Sequence, residues 1–491
     1  MRNSALGFGI LLGIFACGCD ARQQSEIKTI SAAHEAAKDL APDELVRRSV
    51  ERRAFEAVIW GMPAVNYDAM YQAIARDARG GEGSNKIVYW SRLFDWKNQT
   101  LTPNPDSIYL MPFYNTKDVG PVVLEVPPAD DGSITGSVDD CWQMAIADVG
   151  PAGLDKGKGG KYLILPPGYK DKVPDGYIPL QTSNYEGYAL LRSILNSNSE
   201  ADVAKAVAYG KRIKLYPLSM AAHPPETQFV DAINVIYDAS IPYDVRFFQS
   251  LNRIVQVEPW IPRDKAMIDQ LKSIGIERGK PFNPDSKMQE ILNNAIREAH
   301  AWLVNFYETS YFPAPFYEGG HWFVPAPPEF AAAMQTSFAN PDSYPVDERG
   351  TAYSIGFFSA KHFGAGQFYL MTFRGKEGQP FVGSNVYRLN VPANAPVTQY
   401  WSATAYNRDT HTLIRNMPWA SRSSQTPGLQ KNTDGSVDVY FASKPPPGKE
   451  PNWVPTDPSG NFEVIFRFYG PQKPLFDKTW HLTDIEKTST P

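Results

Sequence analysis

The stretch YWSRLFDWKNQTLTPNPDSIYLMPFY, residues 89–114, holds the densest mixture of polar and aromatic side chains in the sequence. Asp95 and Asp106 are two carboxylates that could share acid–base work if the loop folds them together. Trp90, Trp96 and Tyr109 offer flat apolar faces, and Arg92 and Asn104 supply groups that orient a polar ligand. The expectation is one cavity in which Arg92, Asp95, Asn104 and Asp106 meet, with Trp90, Trp96 or Tyr109 as a wall. The same residue types also suit a structural loop, because Asp and Asn beside proline cap turns and arginine pairs with them. A second polar run, TAYNRDTHTLIRNMPWASRSSQTPGLQKNTDGSVDVY (404–440), adds Arg415 and Arg422 as candidate contacts for an anionic or hydroxylated ligand. Arg192, the lone charge in the apolar segment YALLRSIL (188–195), completes the ligand-binding set.

Familiar catalytic patterns are missing. The sequence has no G-x-S-x-G, H-E-x-x-H, C-x-x-C, G-x-x-x-x-G-K-[ST] or G-x-G-x-x-G. Its seven histidines are scattered without an i,i+4 pair, so no metal site and no cofactor are expected. Pairing Ser421 or Ser424 with His411 has no supporting motif. The acidic run DDGSITGSVDD (130–140) lacks the glutamate of a calcium loop and reads as a hairpin.

The elements that must position these residues follow from periodicity. Apolar positions from Leu45 to Ile59 predict a helix to about Trp60, which Pro63 kinks or restarts before a continuation to Ala78. Short segments rich in aromatic and β-branched residues and bounded by Gly, Pro or Asp then predict strands at 107–114, 120–127, 141–150, 161–168, 176–181 and 185–195. Helical patterning returns from Ala201 to about His362, most clearly in DSKMQEILNNAIREAHAWLVNFY, and strands resume at 367–374, 385–392, 396–407, 436–443 and 461–470. The two strand-rich regions look alike in order: 122–128 with 386–392, 141–148 with 400–407, 161–168 with 439–448, and 188–195 with 462–469. The last pair places Arg192 opposite Arg467. The fold expected is α+β and mostly β: two related antiparallel β-sandwiches of jelly-roll type with a helical segment between them. Its parts would be a leader (1–19), a tether (20–42), helices plus the first sandwich (43–198), the helical segment (199–365) and the second sandwich (366–491).

Composition agrees. Aromatics make up 13% of the 491 residues and prolines number 42, well above the ~5% proline of an average protein, as short strands on long loops require. A net charge of −5 argues against a nucleic-acid partner held by bulk basicity. At the start, MRNSALGFGILLGIFACGCD resembles a bacterial lipoprotein signal, with an apolar run too short to span a bilayer. Cys19 is the expected acyl acceptor, Cys17 is the competing register, and an ordinary cleaved secretory signal is the simpler alternative. This predicts the periplasmic face of the envelope, with the membrane engaged through a lipid anchor alone; Asp20 after Cys19 resembles an inner-membrane retention signal. Cys141 is then the one unmodified thiol of the mature chain and, among apolar neighbours, a buried inert one.

Two long motifs resemble known families. TLTPNPDSIYLMPFY with the upstream WGMPAVNYDAMYQ is similar to the N-terminal domain of unknown function 1254. YWSATAYNRDTHTLIRNMPWASRSS with PNWVPTDPSGNFEVIFRFYGP is similar to the C-terminal domain of unknown function 1214. The resemblance implies envelope-associated bacterial proteins of β-sandwich and helical build, without a family reaction or catalytic residues. The function expected is binding or processing of a small polyhydroxylated or aromatic molecule in a cleft of a β-sandwich. The alternative is a non-catalytic structural or assembly protein, able to form a homo-oligomer, whose aromatics are simply core.

Overall fold

The computed structural model describes residues 41–78, 85–356, 360–364 and 366–488. The leader, with Cys17 and Cys19, lies outside the described residues. From Arg53 to Pro491 the chain forms one compact unit. Among the described residues no helix is long and apolar enough to cross a membrane.

Helix α1 (Pro42–Arg76) opens the described chain and continues through Pro63 without the restart that was one of the two expectations there. Proline has no N–H to give the carbonyl four residues back, here that of Ile59. That carbonyl is covered by Gly350, where an added Cβ would stand 2.6 Å from the Ile59 oxygen. Only a residue without a side chain can approach the helix this closely at that point.

The first β module consists of ten strands. They are β1 (Lys86–Tyr89), β2 (Ile108–Asn115), β3 (Val122–Val126), β4 (Ile134–Asp140), β5 (Ala145–Val149), β6 (Gly160–Leu165), β7 (Tyr177–Gln181), β8 (Glu186–Ser193), β9 (Lys214–Pro217) and β10 (Gln228–Asp231). They form a larger sheet, β10-β1-β2-β8-β4-β5, and a smaller one, β9-β3-β6-β7. Residues 134–140, expected to be part of a hairpin, are a central strand between β8 and β5. Residues 214–231, expected within the helical segment, add edge strands to both sheets.

Helices α2 (Glu200–Gly210), α3 (Val245–Val257), α4 (Lys265–Ser273), α5 (Ser286–Thr309), α6 (Pro328–Gln335) and α7 (Val346–Ile355) are spread along the middle of the chain. The second module follows as β11 (Gln367–Thr372), β12 (Tyr387–Val391), β13 (Val397–Asn407), β14 (Ser421–Ser423), β15 (Val437–Ala442), β16 (Trp453–Pro455), β17 (Asn461–Pro471) and β18 (Glu486–Lys487). Its sheets are β11-β17-β13-β14 and β18-β12-β15-β16.

Apart from β1 and β10, which extend the first module alone, the strands of one module repeat in the other. Adding nine to each label turns β2-β8-β4-β5 into β11-β17-β13-β14, and β9-β3-β6-β7 into β18-β12-β15-β16. Even the exception recurs: in sheets otherwise mostly antiparallel, β6 and β7 run parallel, and so do β15 and β16. One sequence pairing is corrected. The counterpart of 397–407 is β4, not the following segment 141–148, because strands of period two with aromatic ends match equally well when shifted by one element.

Alternation along each strand decides what faces where. In β8, Ala189 and Leu191 enter the sandwich core with Ile108, Leu110, Val122, Leu124 and Ile164. In β17, Val464, Phe466 and Phe468 do the same with Leu389, Val439 and Phe441. Each of these larger side chains, Ala189 apart, contributes ~1.5–3 kcal/mol by leaving water. Arg192 and Arg467 therefore point out of their sandwiches, onto the outer faces of the two larger sheets.

Candidate functional site

Register fixes the surroundings of both arginines. Arg192 lies opposite Tyr109 on β2 and Thr135 on β4. Arg467 lies opposite Tyr369 on β11 and Ser402 on β13. In each module the guanidinium carbon sits 5.1 Å from the centroid of the facing tyrosine ring. Both arginines line one cavity of about 160 Å³, together with Tyr109, Tyr369, Thr102, Thr135 and Gln367. Ala326, Ile355, Phe368 and Met371 contribute apolar wall. The cavity lies where the two outer faces meet.

The two guanidinium groups are buried, at 4% and 2% exposure. Arg467 is partly satisfied: Nη1 donates to Thr404 Oγ1 at 3.1 Å and Nη2 to the Thr102 carbonyl at 2.9 Å, while Nε has no partner. Arg192 is less so, since neither its Nε nor its Nη1 has a hydrogen-bond partner. Burial by itself would lower the pKa of Arg192. The surrounding Tyr109, Tyr369 and Tyr469 outweigh that and hold it above its usual value, so it stays charged. The same balance of burial against neighbouring tyrosines, Tyr406 first, raises Arg467.

Nearby acids do little to neutralise them. Asp139 is fully buried on β4, both its carboxylate oxygens lack partners, and burial pushes its pKa well above the ordinary range. Burial also raises Asp106, against hydrogen bonds from Ser421 and Asn198 and the charge of Arg467. A carboxyl whose charged form burial disfavours balances a guanidinium less well than a solvated one. With two buried guanidinium groups and one acidic residue, Asp148, among the described lining residues, the wall is richer in cationic than in acidic groups and suits an anion.

At another part of the wall, His362 and Asp148 meet: Nδ1 lies 2.7 Å from Asp148 Oδ2. Asp148 also accepts from the backbone N–H of Lys361 at 2.7 Å and of His362 at 3.0 Å, and from Ser137 Oγ at 2.8 Å.

Of the residues singled out in the sequence, Arg192 and Tyr109 line this cavity and the others do not. Asp95 closes a turn, accepting from the Lys97 backbone at 2.9 Å and from Lys97 Nζ at 2.6 Å. Trp96 lies under the Lys97 ammonium. Arg92 is on the surface, 3.3 Å from Asn234. Trp90 is core, packed on Phe94, Tyr109 and Tyr237. Asn104 is buried and donates to the hydroxyls of Tyr400 and Tyr469 at 3.0 and 2.9 Å, tying the loop to the second module. Arg415 binds Gln99 and Asp238, and Arg422 binds the carbonyls of Pro451 and Ser421. Cys141 is a buried free thiol. Sequence reasoning missed Tyr369, Thr135, Asp148, His362 and Arg467 as site residues; the equivalence of Arg192 and Arg467 was the signal that could have brought in the last.

Residues 84–217 match the family described as Protein of unknown function (DUF1254), and residues 366–473 match Protein of unknown function (DUF1214). No curated protein matches the chain. Among solved structures, the VPA0106 protein from Vibrio parahaemolyticus is similar at 17% identity and a TM-score of 0.55, covering 90% of this chain and all (100%) of that one. An uncharacterised protein from Burkholderia cenocepacia aligns at 10% identity and a TM-score of 0.40, over 90% of this chain and 94% of its own. The first of these likenesses shows a shared fold.

Proposed function

We propose that this chain, which carries a DUF1254 domain followed by a DUF1214 domain, binds a small organic carboxylate with an apolar or aromatic body at the periplasmic face of the envelope. The observation that supports the reading best is Arg192: a charged guanidinium, buried in a cavity wall, with two nitrogens free of hydrogen-bond partners. A carboxylate supplies both the charge and the acceptors it lacks, and Tyr109 and Tyr369 flank the place where it would sit. The apolar wall of Ala326, Ile355, Phe368 and Met371 accounts for the rest of the ligand. Location rests on the leader, whose Cys19 is the proposed acyl acceptor.

The test compares charge at constant shape. Benzoate, phenylacetate and cyclohexanecarboxylate should raise the melting temperature and bind by calorimetry, while benzamide and benzyl alcohol should not. Arg192→Gln should weaken carboxylate binding by roughly 10- to 100-fold, the loss of one charge-assisted contact of ~1.5–3 kcal/mol. Equal binding of the neutral analogues, or unchanged binding by Arg192→Gln, would remove the reading.

A further inference from the structure

We propose that the same cavity is an active site in which His362 is the general acid–base residue, positioned by Asp148, and that its substrate is a 2-oxo carboxylate undergoing enolisation. The inference rests on the carboxylate-binding reading and adds a reaction to it.

Three features of the dyad carry it. First, both residues line the cavity that holds the two arginines. Second, Asp148 already accepts from two backbone N–H groups and the Ser137 hydroxyl, so it stands as an acceptor towards His362 Nδ1. That arrangement places the histidine proton on Nδ1 and leaves the lone pair on Nε2, the tautomer a base requires. Third, the His362 side chain is 63% exposed while that of Asp148 is 12% exposed, so the imidazole can exchange its proton with water while its partner holds it in place.

Register sets the spacing. Thr135 is opposite Arg192, Ser137 is two residues further along the same face of β4, and Asp148 is opposite Ser137 on β5. Two strand spacings and two residues of rise separate the dyad from Arg192, on the order of 10 Å between backbones. Side chains reaching inward from both ends leave room for a small molecule. Ser137 directs its hydroxyl proton at Asp148, not its oxygen at a histidine base, which is the wrong arrangement for a serine nucleophile. Proton transfer is the chemistry that a carboxylate-held histidine supplies directly.

In the step itself, Nε2 takes a proton from the carbon next to the ketone. The C–H bonding pair becomes the enolate double bond, the ketone oxygen takes the negative charge, and a guanidinium group of the cavity stabilises it. The imidazolium then returns a proton to the same carbon or to the enolate oxygen. No oxidant, reductant or second substrate is needed.

Incubating the protein in deuterated water with 2-oxo-4-phenylbutanoate should wash out the protons beside the ketone, followed by proton NMR, at least about 10-fold faster than in buffer. At saturating probe, His362→Gln should lose roughly 100-fold or more of the enzymatic rate, the usual share of general acid–base catalysis. Asp148→Asn should slow exchange less and displace its pH profile, as expected of a positioning residue. Calorimetry on the same samples separates the two claims. A probe that binds without exchange above buffer, or exchange that survives in His362→Gln, overturns the catalytic proposal and leaves the binding reading standing. A probe that does not bind, together with the other carboxylates failing to bind, overturns both.

Discussion

Charge in this molecule is governed residue by residue by what burial permits. Glu186 shows it most plainly: desolvation, with Glu258, Asp68 and Asp118 close by, pushes its carboxyl from the ordinary 4.5 up to about 8. The folded state therefore binds a proton that the unfolded chain has lost between those values. The stability this contributes is fully present below about pH 4.5 and falls as pH rises towards 8. Glu186→Gln should accordingly raise the melting temperature at pH 8.5 and leave it nearly unchanged at pH 4, as a calorimetric pH series would read. Asn104 is the opposite case, a neutral side chain whose removal exposes a debt in hydrogen bonds. Asn104→Ala takes the amide donor from the buried Tyr400 hydroxyl and one of two partners from that of Tyr469, which keeps Tyr369, for an expected cost of ~1–3 kcal/mol in a urea titration. Sequence chemistry had marked Asn104 for a ligand because amides and aromatics mix alike in binding loops and in buried joints. Residue type does not separate the two; partners do. Arg192 was legible because an arginine inside an apolar strand has to be explained by something.

Among the elements, those most visible in the sequence supply Tyr109 and Arg192 to the site, and those hardest to read supply the rest of its first-module wall. Strands with apolar alternation such as β2, β3, β6 and β8 stand where the pattern places them. Strand β4, ITGSVDD, was unreadable because its outer face carries Thr135, Ser137 and Asp139 in place of apolar residues, and two of these line the cavity. What makes the strand functional removes its signature. Helix α1 continues through Pro63, and the Ile59 carbonyl that Pro63 leaves without an N–H packs against Gly350, nearly three hundred residues away, a contact invisible to any local rule. Strand β4 also depends on a glycine. A Cβ at Gly136 would stand 1.9 Å from the Leu190 carbonyl on β8. Gly136→Ala should therefore force these two strands apart beside Arg192, costing about 3 kcal/mol or more in denaturant unfolding and weakening carboxylate binding with it.

For the whole molecule, the leader argues for a tether and the modules argue for a shared site. Replacing both Cys17 and Cys19 by Ser should release the protein from membranes into the soluble periplasmic fraction, and mass spectrometry should find acyl chains on the mature wild-type chain. An unmodified mature terminus would leave only ordinary secretion. The two modules are themselves sewn together by the loop after β1. Gln99 donates to the Leu413 carbonyl at 3.0 Å, and the Thr102 N–H to that of His411 at 2.7 Å. In return the Tyr406 hydroxyl donates to the Pro103 carbonyl at 2.6 Å, and Arg467 holds Thr102. A loop of the first half is thus built into the second, and the covalent link through the helices is not what keeps the halves together. A single proteolytic nick engineered within that link, at the exposed segment 339–342, should leave a two-fragment protein that elutes from a sizing column as one particle and comes apart only in denaturant.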